Sequence, residues 1–300
     1  MLADAIEGCG KSWIKYYCEG DGLGSSHLLL KRKLCRNRKF CPNDAQAYTS
    51  VMVERAYEFL KEFVEKLGIG SVYLLHVVFT MPEALWGRAI VEPRLLVKAV
   101  YETLGMYGGM PGGILSIHFW HTDCPVCGYY PHAHVLMLNV VAERKEDGKV
   151  YFVRKRPFFD HRKLKERYKA SIRKVFGYDW DGLPDVHVNY VKFCDENEAK
   201  IKHRLRYAFR QLIQDFKAVD FSKLTEEQSK FLWSLLNLKV KRVRWFGFLA
   251  NGVKTYYLSF VGVNYWELKA RWERFAKSAI CPIHGCEMVR LGICDDDELR

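Results

Sequence analysis

Residues 121–138 read HTDCPVCGYYPHAHVLML, with three histidines and two cysteines among the first fourteen. Imidazoles and thiolates are the side chains that hold transition metals, and their spacing divides them into two groups. His132 and His134 are separated by one residue in a β-prone run, so a strand points both at one face. Val135 to Leu138 are apolar on both faces, which makes that strand central and buried. Two imidazoles at the end of such a strand can grip a divalent cation, and a third ligand completes a usable site. His118 and His121 sit on the preceding β-prone run at an odd separation, so only one of them can reach the pair. His121 is taken as the third ligand, with His118 and His76 as alternatives. Neutral imidazoles with open positions suit Mn²⁺ or Mg²⁺ with water, or Zn²⁺. A cation held there can polarise a phosphate oxygen as a Lewis acid.

The cysteines point to structural metal. CPVCG at 124–128 has the spacing, proline and glycine of a zinc knuckle, and CPIHG at 281–285 repeats it with histidine in the last ligand position. Cys124, Cys127, Cys281 and His284 are expected to share one zinc, with Cys286 as the alternative to His284. Cys9, Cys18, Cys35 and Cys41 form a looser set, with His27 and Asp44 as substitutes. One or two structural Zn²⁺ ions are therefore expected. Cys194 and Cys294 are expected to be free. Ten cysteines in a chain without a visible signal peptide fit metal binding better than a disulfide framework.

A nucleophile is legible from helical periodicity. The spacing predicts a helix over 197–217, with Ile201, Leu205, Ala208, Phe209, Leu212, Ile213 and Phe216 as its apolar stripe. Tyr207 falls almost opposite that stripe, beside His203, Arg210 and Gln214. A tyrosine set among cations on a polar face can attack a phosphate. Tyr190 is the competitor, but it shares a strand face with Val186 and Val188 and reads as core. Net charge is +12, with basic clusters at 31–39, 162–169, 200–210 and 239–244. Such clusters with interleaved aromatics favour nucleic acid as partner. Lys200, His203, Arg204 and Arg206 are the candidate DNA contacts.

These features together resemble the HUH endonucleases, the rolling-circle replication initiators and related transposases. The resemblance rests on PHAHVLML preceded by HT at 121–122, on LLHVVFT before it, on CRNRKFCP at 35–42 and on HRLRYAFR at 203–210. CRNRKFCP is similar to the zinc-binding N-terminal stretch of many members, and HRLRYAFR to their nucleophile helix. Ala133 replaces a bulky aliphatic residue, and Asp44 stands where several relatives have a last cysteine. His203 stands where two-tyrosine members place their first tyrosine, which implies a single-tyrosine enzyme. The resemblance implies metal-dependent nicking and joining of single-stranded DNA at a replication origin, through a 5′-phosphotyrosine and a free 3′-OH. A host helicase and polymerase are then expected partners. The alternatives are an HUH transposase, or a zinc-stapled DNA-binding regulator without catalysis.

The expected frame is α+β: an antiparallel sheet with helices on one face, an HUH or ferredoxin-like palm, plus zinc-binding elements. Strands are predicted over 71–80, 113–121, 132–140 and 186–193. Helices are predicted over 44–67 and 93–105, from the Asp160 cap to Gly177, and after a Thr225–Gln228 capping box. RWFGFLA-NG-VKTYYLSFVG reads as a hairpin around Asn251-Gly252. The domain reading is an irregular Cys-rich segment over 1–43, a nuclease domain over 44–220, and a helix, hairpin and knuckle tail over 221–300. AIEGCGKS at 5–12 fits a loose P-loop pattern but lacks the strand before and helix after that a phosphate cradle needs. No apolar run approaches the ~18 residues of a membrane span. With no signal peptide visible, a cytoplasmic location is expected.

Overall fold

The structure is a computed structural model that describes residues 9, 11–18, 27–35, 41–105, 108–120, 128–156, 160–210, 221–237, 241–250, 253–270 and 288–295. Its strands are β1 (Ser12–Cys18), β2 (His27–Arg32), β3 (Tyr73–Thr80), β4 (Met110–Trp120), β5 (Tyr129–Arg144), β6 (Val150–Arg154), β7 (Val186–Lys192), β8 (Val243–Gly247) and β9 (Val289–Asp295). Its helices are α1 (Pro42–Leu67), α2 (Trp86–Val91), α3 (Pro93–Leu104), α4 (His161–Phe176), α5 (Glu198–Phe209), α6 (Glu226–Asn237) and α7 (Lys254–Ser259). They fall into two compact units. One takes in residues up to 51 and from 265 onward, the other 52–210 and 218–264.

In the first unit β1 pairs with β2 on one side and β9 on the other, both antiparallel. The N-terminal stretch read as irregular thus holds two strands. Neither Trp13-Ile14-Lys15-Tyr16-Tyr17 nor its partners alternate cleanly, and β9 comes from the far end of the chain, so no local pattern announced the sheet. Lys11 and Ser12 run into strand β1 rather than a helix, in keeping with the rejected P-loop.

The second unit is built on a six-stranded sheet in the order β7-β3-β5-β4-β8, with β6 also paired to β5. All its pairs are antiparallel. Residues 131–142 of β5 are buried without interruption, because both faces of the sheet are covered. This corrects the expectation of helices on one face. Phe79, on one face, packs its ring 4.8 Å from Tyr168 of α4, and Phe246 faces Tyr101 of α3 at 5.6 Å. On the other face α1 brings Phe59 to Trp245 and Phe63 to Phe152, at 5.3 and 5.5 Å. Asn139, fully buried, fills the gap where β3 gives way to β6. Its Oδ1 accepts from Tyr73 N at 2.7 Å and its Nδ2 donates to Lys155 O at 2.8 Å.

Local signals fix several ends. Asp160 Oδ1 accepts from Lys163 N at 3.1 Å to cap α4, and Gly177 closes it at φ 65°. Thr225 and Gln228 make the reciprocal bonds of a capping box at 3.0 and 3.2 Å. The expected hairpin after β8 does not form. Gly247 has φ 61°, and a Cβ there would lie 1.4 Å from Pro111 O, so the chain leaves the sheet in a turn. The following run becomes helix α7, which buries Lys254 and Leu258 four residues apart instead of alternating.

Candidate metal centre and nucleophile

β5 carries His132 and His134 on the sheet face that α1 covers. Its neighbour β4 sets His118 directly opposite His132 and Ser116 opposite His134. β3, on the other side, sets Val78 opposite His134 and His76 opposite Leu136. Register and pleat therefore gather four imidazoles from three strands on one face. The ligand atoms of His118, His132 and His134 lie within 4.8 Å of one another. The four side chains are buried, with 3–5% of their surface exposed. His121, taken as third ligand from the sequence, lies outside the described residues, and His118 is the imidazole that joins the pair.

Hydrogen bonds orient the rings. His132 Nδ1 lies 2.7 Å from Tyr130 O, which can only accept, so the proton is on Nδ1 and Nε2 presents a lone pair. His134 Nδ1 lies 2.8 Å from His76 Nε2, and the two rings stack at 5.1 Å. His134 Nε2 is buried with no hydrogen-bond partner, as is His76 Nδ1. A buried, unbonded imidazole nitrogen beside two other ligands is what a cation would satisfy. His118 Nε2 is 3.1 Å from Ser116 Oγ, and its ring stacks on Trp120 at 5.1 Å.

Burial holds His118 and His134 well below the ordinary imidazole range, and neighbouring positive groups add to it. For His118 these include His134, His132, Arg242 and Arg210. Burial, then Arg204 and His203, brings His76 down to about 4. His118 and His134 are therefore neutral at physiological pH, the form that coordinates metal. Among the described residues no carboxylate belongs to the cluster. A divalent cation held here keeps its full charge for an anionic substrate such as a phosphate.

Tyr207 faces the centre from α5, which buries Ile201, Leu205, Ala208 and Phe209 beneath it. Its half-buried ring lies 6.0 Å from that of His134, 6.3 Å from His76 and 5.4 Å from His203. The helix is shorter than its periodicity predicts: Arg210 has left helical geometry at ψ 132°, and 211–217 lie outside the described residues. Lys200, His203 and Arg206 are exposed on α5, and Arg204 is half-buried. Tyr190, read as core, is 48% exposed, because β7 is the edge of the sheet and pairs only with β3 among the described strands. Val186 alone of its face is buried.

In the first unit Cys9, Cys35 and Cys41 bring their sulfurs within 4.8 Å of one another. Cys35 N donates to Cys9 Sγ at 3.3 Å and Asn43 Nδ2 to Cys9 O at 3.1 Å, which ties the segment before β1 to the start of α1. Burial pushes the Cys9 thiol up to about 12, so a thiolate there needs a compensating cation. Among the described residues the set offers three of the four ligands of a structural zinc. Cys18 pairs in β1 with His27, and Asp44 is buried in the first turn of α1. Cys124, Cys127, Cys281, His284 and Cys286 lie outside the described residues. Cys194 is a free thiol, its Sγ accepting from Asn197 Nδ2 at 3.2 Å.

The fold and the centre define a mixed α/β protein with two candidate metal-binding groups, one of histidines and one of cysteines. No family model, no curated protein and no solved structure matches the chain. No helix among the described residues is long and apolar enough to cross a membrane.

Proposed function

We propose that the chain is a divalent-cation-dependent endonuclease of the HUH type, which nicks and rejoins single-stranded DNA through Tyr207 to initiate rolling-circle replication. The observation that carries this reading is the Tyr207 ring, 6.0 Å from that of His134 and above three buried imidazoles that can share one cation. His118, His132 and His134 would hold Mn²⁺ or Mg²⁺, which when bound supplies Lewis-acid polarisation of a phosphate oxygen. The rest of the chemistry falls to the chain itself. Lys200, His203, Arg204 and Arg206 draw the phosphate backbone along α5. Tyr207 Oη attacks phosphorus and loses its proton to solvent. The bond from phosphorus to the 3′ oxygen breaks, and that oxygen takes up a proton as a free 3′-hydroxyl. A phosphotyrosine on the 5′ end remains, and the reverse reaction reseals a strand with no need of ATP, since one phosphodiester replaces another. Arg210 adds positive charge beside the centre.

The test is a denaturing gel after incubation with pooled labelled single-stranded oligonucleotides and Mn²⁺. Wild type and Tyr190→Phe should form a covalent adduct, and Tyr207→Phe none. An adduct that persists in Tyr207→Phe removes the nucleophile assignment. A DNA-binding regulator without catalysis would need the basic helix and the cysteines, but it has no use for buried imidazoles facing a tyrosine. An HUH transposase would share the chemistry and differ in its DNA substrates.

A further inference from the structure

A groove of about 570 Å³ opens where β3 begins and β7 ends, lined by Tyr73, Tyr190, Lys192, Lys200, His203 and Arg204 among others. Its size is within the roughly 300–1,000 Å³ typical of small-molecule sites. The Tyr73 and Tyr190 rings meet edge to face at 6.5 Å, and Tyr190 is 48% exposed although its sheet has a large buried core. Among the described residues no carboxylate lines the groove. Of the acids flanking Asn197, Asp195 is engaged with Lys61 at 2.8 Å and Glu198 with Lys202 at 2.7 Å, while Glu196 interacts electrostatically with Lys192. Lys202 and Lys200 lie on the same helix with opposite fates. Lys202 is paired to Glu54 and Glu198, whereas none of Lys192, Lys200 and Arg204 has an ion-pair partner among the described residues. Asn197 Nδ2 donates to Lys192 O at 3.1 Å, which fixes the groove's floor where β7 hands over to α5.

An exposed tyrosine face beside cations that make no ion pair among the described residues is complementary to a nucleobase and its phosphates, not to an apolar or acidic-poor peptide. We propose that this groove binds a nucleotide of a single-stranded DNA, its base stacked on Tyr190 and its phosphates held by Lys192, Lys200 and Arg204. His203 lies both in the groove and 5.4 Å from the Tyr207 ring, so the bound nucleotide flanks the phosphate that reaches Tyr207. The last point rests on the nicking reading. Base binding itself does not.

The experiment is fluorescence anisotropy of the full chain with a labelled single strand of roughly 12 nucleotides, in EDTA so that no cleavage occurs. Tyr190→Ala should raise Kd about tenfold, as expected for loss of one stacked base, and Tyr190→Phe should stay within twofold of wild type. Tyr151→Ala is the control, a 40% exposed tyrosine on β6, and should also stay within about twofold. Lys200→Ala should flatten the slope of log K against log salt by about 0.7. Melting curves report that each variant is folded. Equal affinities for Tyr190→Ala and Tyr151→Ala overturn the proposal, and so does a duplex of the same sequence that binds as tightly and with the same sensitivity to Tyr190→Ala. If Tyr190→Ala weakens binding while no adduct ever forms, the groove stands and the nicking reading falls. If Tyr207→Phe abolishes the adduct while Tyr190→Ala binds normally, the reverse holds.

Discussion

Replacing His76 by Phe probes how the candidate metal centre is organised without touching a ligand. The ring is kept, along with its 24° stack on His134, and only the bond between His76 Nε2 and His134 Nδ1 at 2.8 Å is lost. For His134 to present Nε2 to a cation, its proton must be on Nδ1 and donate to His76. That arrangement puts the His76 proton on Nδ1, which is buried with no hydrogen-bond partner. The substitution therefore has two opposed effects. In metal-free protein it removes one orphaned polar atom and creates another at His134 Nδ1, each worth about 1–3 kcal/mol, so stability should change by no more than about 1 kcal/mol. Metal affinity should fall about 10- to 100-fold, the usual effect of losing a partner that orients a ligating histidine. Freedom between two tautomers of His134 accounts for only ~0.4 kcal/mol of that, and loss of ring orientation and basicity for the remainder. Mn²⁺ titration followed by electron paramagnetic resonance measures the affinity, and thermal melting in EDTA measures the stability. An affinity within twofold of wild type would show that the His76–His134 contact does not organise the site.

Changing His132 and His134 together to Ala should abolish both Mn²⁺ binding and the DNA adduct while melting changes little, and a double variant that still nicks would sink the centre. Cys41→Ser should lower the zinc content of the full chain by one ion by elemental analysis, and an unchanged content would show that the Cys9, Cys35 and Cys41 set holds none. Gly113→Ala should cost about 3 kcal/mol or more, seen as a melting point lower by at least ~6 °C, because the new Cβ would lie 2.2 Å from Leu136 O in the neighbouring strand. A melting point unchanged within error would mean that β4 and β5 are not so closely apposed. Asp160→Ala should cost about 1 kcal/mol through loss of the bond to Lys163 N, and a neutral result in urea unfolding would remove the cap.

Where the chemistry depends on residues close in sequence, the chain by itself was sufficient. The side-chain period of two put His132 and His134 on one face of a strand, and helical spacing turned Tyr207 away from Ile201, Leu205 and Ala208. The Asp160 cap, the Gly177 stop and the Thr225–Gln228 box were equally local, since each is a bond within one turn. What required distant partners was not legible. Parity could say that only one of His118 and His121 reaches the pair. Only the register of β4 on β5 decided for His118 opposite His132. Tyr190 obeyed a buried alternation, yet β7 has a single neighbour among the described strands, and an edge leaves its residues to solvent. Residues 253–262 have the aromatic content of a strand, but the close crossing of Gly247 over Pro111 diverts the chain, and Lys254–Ser259 within them is helical. Which cysteines meet was likewise a matter of tertiary structure, because Cys9, Cys35 and Cys41 lack the CxxC spacing that marks a site locally and converge only where β1, β2 and α1 bring their ends together.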